Sequence, residues 1–170
     1  EFLRSINWEG DKFGMEINEN AKKIAADIIR FDSDIYNKIS YFDAVVFRGT
    51  IHLVDQPIRM LKATYEALKP GGYMFILATP NTSSPLYKLK QDLPFIEWDK
   101  IYLVPEEKTF CRMLENIGFS IISTTYPYLE TPYASPLKDH FRFIANVFSR
   151  KFYPHPFWKS SLSLAVRKNQ

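Results

Sequence analysis

The forty residues from Phe42 to Asn81 constrain the fold of this chain most tightly. They read as strand, polar turn, amphipathic helix, glycine turn and strand. An apolar run, Phe42-Asp43-Ala44-Val45-Val46-Phe47, leads into Arg48-Gly49-Thr50-Ile51-His52-Leu53. A helix is expected from about Pro57 to Leu68. Pro57 is tolerated in its first turn, and Ile58, Leu61, Tyr65 and Leu68 form its buried stripe. Lys69-Pro70-Gly71-Gly72 is the stop signal, since either glycine can take the left-handed conformation that closes a helix. A second apolar run from Tyr73 to Ala78 ends at Thr79-Pro80-Asn81. Both strands are continuously apolar and do not alternate. Such strands are expected to be covered on both faces, as in a parallel sheet between helix layers.

Length and composition set the bounds. A chain of 170 residues with 46% hydrophobic and 16% aromatic content can bury the core of one folded domain. A net charge of +3 lacks the basic stripe of a nucleic-acid footprint, so no nucleic acid is expected as partner. The single cysteine, Cys111, excludes an internal disulfide and a cysteine-based zinc site, and it fits a reducing, cytoplasmic setting. No apolar run reaches the ~18 residues of a membrane span, so stable membrane insertion is not expected. Composition says nothing about the oligomeric state.

The remaining segments alternate in type. Phe2 to Trp8 reads as the tail of a helix closed by Glu9-Gly10, and Lys12 to Ile17 as a short strand. Asn18 can cap a helix that buries Ala21, Ile24, Ala25 and Ile28. Ile28 to Phe31 either prolongs that helix or forms a strand leading to Asp32-Ser33-Asp34. Residues 82–104 lack a regular period and are expected to be an active-site loop or lid. Pro105-Glu106-Glu107 opens a helix whose inner face is Phe110, Met113, Leu114 and Ile117, with Gly118 at its end. Phe119 to Tyr126 reads as a strand, about Ser135 to Lys151 as a helix and Leu162 to Val166 as a last strand. In that helix Phe141, Ile144, Ala145, Phe148 and Phe152 form an apolar face flanked by Arg142, Arg150 and Lys151. Such a face suits an anionic membrane surface, but packing against the sheet is the expected use. The order of elements points to a doubly wound α/β domain.

Three motifs carry a family resemblance: Gly14-Met15-Glu16-Ile17-Asn18-Glu19-Asn20-Ala21-Lys22-Lys23-Ile24-Ala25, Phe42-Asp43-Ala44-Val45-Val46 followed by His52, and Leu68-Lys69-Pro70-Gly71-Gly72. In them the chain resembles the class I S-adenosylmethionine-dependent methyltransferases. The resemblance implies a Rossmann-like, mostly parallel sheet with an antiparallel last strand, methyl transfer as the reaction and S-adenosylmethionine as cofactor. An acid at the carboxyl end of a strand lies beside the ligand crevice of such folds. Glu16, with Ile17 beside it, is therefore the candidate for the ribose hydroxyls. The resemblance also implies an adenine contact from Asp32 or Asp34, although two acids in a turn are commonly just solvated. It places Phe47, Arg48 and Gly49 at the sulfonium end, where Gly49 permits close backbone approach. Arg48 is unusual there, because a cation beside a sulfonium is unfavourable. Its head is expected to point toward a carboxylate or the substrate. His52 is either a general base or a cap on local backbone, the second being the expected role. The glycine-rich loop of this fold precedes the acid by roughly 20 residues, which falls upstream of Glu1. The chain also opens without Met, so it is expected to be N-terminally incomplete, without the first strand and that loop.

The C-terminal third is rich in Trp98, Tyr102, Tyr126, Tyr128, Tyr133, His140, His155 and Trp158. Most such side chains pack in a core or lid, and a few can line an apolar substrate pocket. His52, Tyr102 and His140 are the candidate polar, catalytic groups of that pocket. The expected methyl acceptor is a small molecule, a sugar or cell-envelope metabolite among the candidates. The expected organisation is one methyltransferase domain over residues 1–170 with 82–104 as lid. Two alternatives stay open: an NAD-dependent Rossmann oxidoreductase, since an acid after the second strand also suits NAD, and a non-catalytic nucleotide-binding domain. No metal is expected.

Overall fold

A computed structural model describes residues 5–16, 19–27, 29–31, 34–94, 96–155 and 158–170. They fall into two units, residues 1–38 and 39–170. In the first, β1 (Phe13–Gly14) and β2 (Arg30–Phe31) pair in parallel, Phe13 opposite Arg30 and Gly14 opposite Phe31. Helix α1 (Glu19–Ala25) joins them. The backbones pack so closely that a Cβ on Gly14 would lie 2.8 Å from Cγ2 of Ile29. The stretch after α1 is therefore a strand, not more helix. Ile24 is 73% exposed, against the expected burial, and Ala25 is half-buried. A helix of 7 residues makes about two turns. Phe2, Ile17, Asn18, Ile28, Asp32 and the side chain of Ala21 lie outside the described residues.

The second unit is built on a sheet of β3 (Phe42–Arg48), β4 (Leu68–Pro80), β5 (Phe119–Thr125) and β6 (Ser161–Lys168) in the order β3-β4-β6-β5. β3 and β4 run parallel, connected through α2 (Pro57–Ala67), as a parallel pair requires. β6 inserts between β4 and β5, antiparallel to both, which is the expected placement of the last strand.

The register sets two unlike faces. Val45 and Phe47 align with Met74 and Ile76, and these with Val166 and Leu164. Met74, Ile76, Leu164 and Val166 are all at most 1% exposed. Helix α2 contributes Met60, Leu61, Thr64 and Ala67 to the core, and α4 (Glu107–Ile117) contributes Phe110 and Leu114. Lys168, in phase with Leu164 and Val166, donates to the carbonyls of Tyr65 (2.8 Å) and Leu68 (2.9 Å). The Tyr65 and Phe119 rings meet edge to face at 5.0 Å.

The other face differs from the expectation of equal cover. β4 alternates, with Phe75 and Leu77 half-buried and Tyr73 exposed. There the side chains screen one another: Tyr73 and Phe75 stack at 6.1 Å, and the Arg167 guanidinium lies 5.6 Å from the Tyr73 ring centre. Continuous apolarity therefore marks one dry face and one half-wet face.

The glycine turn also behaves differently from a helix stop. α2 ends at Ala67, and Leu68 is already extended and paired with Phe42. Gly71, at φ +75°, sits inside β4. The next aligned pair is Ala44 with Tyr73, so residues 69–72 bulge opposite Asp43 alone. Lys69 Nζ closes the bulge on Asp43 at 2.7 Å, and Arg167 Nε donates to the Gly71 carbonyl at 3.0 Å. The buried stripe of α2 is Met60, Leu61, Thr64 and Ala67, which leaves Ile58 on its flank, 49% exposed. The Thr64 hydroxyl is accommodated by donating to the Met60 carbonyl at 2.8 Å.

Residues 82–104 contain more regular structure than expected. Helix α3 (Pro85–Lys90) is capped by Ser84, whose hydroxyl accepts from the Tyr87 amide, and it closes on left-handed Gln91. Leu86 and Leu93 are buried, and Trp98–Lys100 forms a 3-10 turn. A six-residue helix is too short for its periodicity to show in sequence. At α4 the Glu106 carboxylate caps the Thr109 amide at 2.8 Å, and Gly118, at φ +120°, ends the helix as expected.

Helix α5 (Pro136–Phe148) reverses its expected orientation. Phe141 (70%), Ile144 (52%) and Phe148 (87%) are exposed, whereas Asp139 and Asn146 are fully buried. The polar side chains are held inward by hydrogen bonds. Asp139 Oδ2 accepts from the Tyr128 hydroxyl and the Ser135 amide, and the Asn146 amide both donates to and accepts from the Tyr153 backbone. Among the described residues no helix is long and apolar enough to cross a membrane.

The bulge yields a prediction. A Cβ on Gly72 would lie 2.9 Å from the Lys69 carbonyl and 3.1 Å from that of Asp43. Gly72→Ala is therefore expected to lose about 1–3 kcal/mol of stability, as overpacking does, measured by urea denaturation. An unchanged midpoint would mean that the bulge is not held this tightly.

Candidate active site

Parallel β3 and β4 end at one edge of the sheet, and β5 ends there too, because both β4 and β5 oppose β6. Ligands of open α/β sheets gather outside the carboxyl ends of the strands. Backbone at this edge leaves the ordinary regions: Gly49 has φ +63° and Ala78 φ +54°. For alanine the left-handed region costs about 1–2 kcal/mol. Such costs cluster at functional positions. The Gly49 amide donates to the Leu77 carbonyl at 2.8 Å, which ties the turn to β4. A Cβ on Gly49 would approach no atom closer than the Ala78 carbonyl at 4.0 Å, so the space above this glycine is open and its φ accounts for the residue type. The Ala78 amide donates to Ser163 Oγ (3.2 Å), at the point where the β4–β6 register shifts.

Thr79 Oγ1 and His52 Nδ1, close to these strand ends, are among the buried polar atoms that lack a hydrogen-bond partner in the described residues. Leaving a buried polar group unpaired costs about 1–3 kcal/mol, so both atoms are suited to a ligand. His52 lies in the 3-10 turn Ile51–Leu53, and burial lowers the pKa of its imidazole below the usual 6.5. The ring is then neutral at pH 7 and able to accept a proton. Its ring Nδ1 does not cap local backbone. Instead its carbonyl accepts from the Tyr102 amide at 2.9 Å, which brings His52 and Tyr102 side by side.

The other expected site residues are more scattered. Tyr102 is 62% exposed. His140 is exposed on α5, with Nδ1 donating to the Pro136 carbonyl one turn earlier at 2.6 Å. The Phe47 side chain is buried in the core, so at the edge it offers backbone only, whereas Arg48 is exposed. In the first unit, Glu16 and Asp34 follow the carboxyl ends of β1 and β2 and so belong to one edge of that ribbon. Glu16 is half-buried, and Asp34 Oδ2 accepts from Asn37 Nδ2 at 2.6 Å. Ile17 and Asp32 are outside the described residues. A cleft of ≈ 390 Å³ lined by Gly10, Asp11, Lys12 and Arg30 opens at the opposite, amino end of the ribbon, where Arg30 and Asp11 pair at 3.1 Å. Among the described residues no group of His, Cys, Asp and Glu is arranged to hold a metal.

Several residues at the sheet edge escaped the sequence reading. Asn81 is fully buried and acts as a clamp: its side chain donates to the Lys159 carbonyl and accepts from the Ser83 amide, both at 2.9 Å, and its own amide donates to Ser160. Lys159 is left-handed at φ +65°, with its ammonium 4.5 Å from the Tyr126 ring centre. Burial, then a hydrogen bond to Glu107, pushes the Tyr126 phenol up to about 12. Burial, then the bond to Asp139, does the same for Tyr128. Both phenols are donors, not bases, at neutral pH. The available signals were Thr79 and Asn81 closing an apolar run, and Asp139 inside an apolar helix.

The profile of a methyltransferase domain family matches residues 2–124. The chain belongs to this methyltransferase family. Its fold is that of class I S-adenosylmethionine-dependent enzymes, as three solved structures illustrate. A SAM-dependent methyltransferase from Methanosarcina mazei is 17% identical, with 92% of this chain and 81% of that one covered, at a TM-score of 0.59. A 1,6-didemethyltoxoflavin-N1-methyltransferase from Burkholderia thailandensis, solved with 1,6-didemethyltoxoflavin and S-adenosylhomocysteine bound, is 15% identical, covers 93% and 61%, and gives 0.58. The [4+2]-cyclase SpnF is 19% identical, covers 99% and 71%, and gives 0.65. Comparison with curated proteins finds no match. The methyltransferase match ends just before β5 does, so α5 and β6 lie beyond it.

The Tyr128–Asp139 bond is open to test. Tyr128→Phe leaves the buried Asp139 Oδ2 with the Ser135 amide as its remaining donor and is expected to cost about 1–3 kcal/mol at neutral pH, because the lost bond is to a charged acceptor. The phenol is raised from 10 to about 12, so this stabilisation is fully present below pH 10 and is lost as pH rises through about 12. The two unfolding curves should therefore converge in strong alkali. A difference independent of pH would remove the hydrogen bond as its cause.

Proposed function

We propose that this methyltransferase transfers the methyl group of S-adenosylmethionine to a small-molecule acceptor at the carboxyl edge of β3 and β4. One observation supports this most: open space above left-handed Gly49, strained Ala78 beside it, and the unpaired buried atoms of His52 and Thr79. When bound, the cofactor supplies an electrophilic methyl group on a sulfonium sulfur. The residues present fit such a group. Glu16 offers a half-buried carboxylate for the ribose hydroxyls, and Asp34 follows at the same ribbon edge. Gly49 and Ala78 offer backbone to a cationic centre without placing a charge on it. Arg48, on the strand face opposite Phe47, directs its charge away from the core.

His52, neutral through burial, would take the proton that an acceptor hydroxyl or amine releases on methylation. Tyr102 is held next to it and His140 is a further polar candidate on α5. Tyr126 and Tyr128 keep their protons and can only donate. Residues 82–104 would serve as lid, hinged on the Thr82 amide and hydroxyl, both of which donate to the Pro105 carbonyl at 3.0 Å. A small metabolite suits this edge better than a nucleic acid, which needs a basic groove. The toxoflavin-type acceptor of the Burkholderia neighbour is of that class.

Calorimetry with S-adenosylhomocysteine tests the cofactor residue. Glu16→Ala is expected to lose about 2 kcal/mol of binding, the scale for hydrogen bonds to a charged acceptor. Unchanged affinity would remove Glu16 from the site. For the base, the acidic limb of kcat should fall below pH 6.5 and disappear in His52→Gln. An identical profile in the variant would exclude His52. A methyl-transfer screen of small-molecule pools against RNA and protein lysates decides the acceptor class, and labelling of macromolecules alone would overturn it.

A further inference from the structure

Helix α5 is inverted. With 3.6 residues per turn, Leu137, Phe141, Ile144 and Phe148 fall on one narrow stripe, and Asp139 and Asn146 fall on the side opposite. The stripe faces out: Leu137 is 78% exposed, Phe141 70%, Ile144 52% and Phe148 87%. The polar side is sealed inward by the Asp139 and Asn146 hydrogen bonds and by Lys90 Nζ donating to the Ser149 carbonyl. This outward stripe is therefore fixed by the fold and is not one rotamer of a loosely attached helix. Water gains nothing from four large apolar side chains in a row, and contiguous exposed patches of this kind mark interaction sites.

Charge decides the partner. Residues 131–160 carry Lys138, Arg142, Arg150, Lys151 and Lys159 against one acid, Asp139, and that acid is buried. Lys138 flanks the stripe, Arg142 lies further toward the polar side with its guanidinium 3.7 Å from the Asp139 carboxylate, and Arg150 and Lys151 follow the helix end. A second copy seated symmetrically on this face would oppose cation to cation, since an isologous interface brings the same patch to both sides. An anionic lipid surface instead satisfies both features: acyl chains take the phenylalanines, and headgroup phosphates take the lysines and arginines. Exposed Tyr153 and Trp158, a few residues on, are of the types enriched at the lipid–water boundary.

We propose that α5 docks this chain peripherally on anionic bilayers, with Leu137, Phe141, Ile144 and Phe148 inserted at the headgroup boundary. The helix lies in the interface and does not span it. The docked segment lies outside the matched methyltransferase profile, so docking stands or falls separately from methyl transfer.

Vesicle co-sedimentation tests this with the full chain. Binding is expected to equimolar phosphatidylcholine and phosphatidylglycerol, to fall steeply with added salt, and to be weak on phosphatidylcholine alone. Phe141→Ser with Phe148→Ser should weaken binding by more than about tenfold, while melting stays unchanged because both rings are exposed. Lys138→Glu, Arg150→Glu and Lys151→Glu together should also weaken it, each cation being worth about fivefold near an anionic surface. Three results would overturn the proposal: equal binding to both vesicle types, binding by the double serine variant at wild-type strength, or a dimer in light scattering that the serine variant dissolves. The last would assign the stripe to a second copy.

Discussion

The placement of β6 is the constraint on which the second unit depends. A strand that entered between β4 and β5 in parallel would need a further crossover. An antiparallel strand reaches the same slot from the opposite edge, through the chain that leaves α5. Once there, its inner residues Leu162, Leu164 and Val166 complete the dry face with Met74 and Ile76. Its arrival also shapes the carboxyl edge. Ser163 takes the Ala78 amide that the ladder leaves over, and Asn81 grips the backbone of Lys159 and Ser160. The strained end of β4 is thus held by a strand that is almost the last part of the chain.

That edge is also where polar chemistry concentrates. On helix α2, by contrast, the buried Thr64 hydroxyl is satisfied by the Met60 carbonyl. At the edge, Thr79 and His52 keep unpaired atoms, Gly49 and Ala78 are left-handed, and burial holds His52 neutral. Strain, open space and unsatisfied hydrogen-bonding capacity coincide where the fold family binds its ligand. The methyltransferase reading therefore rests on local physics as well as on family membership.

Helix α5 shows the limit of reading amphipathicity as direction. Its apolar stripe is plain in sequence, and a stripe ordinarily faces the core. Here two buried polar side chains have stronger claims. A buried carboxylate needs donors, and Tyr128 and the Ser135 amide supply them. The Asn146 amide finds both a donor and an acceptor in the Tyr153 backbone. Turning the helix over would leave these groups unpaired, so the apolar side is the one that faces out.

Local physics made much of the chain legible in advance. The apolar runs at Phe42 and Tyr73, Pro57 at a helix start and Gly118 at a helix end act within a few residues of themselves, and the structure keeps them. The family motifs likewise gave the antiparallel last strand and the methyltransferase assignment. What depended on distant partners was not legible. Gly71 and Gly72 belong to a bulge because Asp43 and Arg167 meet them, Ile58 lies on a flank because Thr64 can satisfy its own hydroxyl, and α3 is too short to show a period. Asn81 became a clamp only when the chain returned 78 residues later. Sequence determined which segments could be strand or helix, because propensity, capping and periodicity are local. Tertiary structure decided which face each segment buried and which polar atoms stayed unpaired, because burial and hydrogen bonding depend on the residues that come to lie opposite.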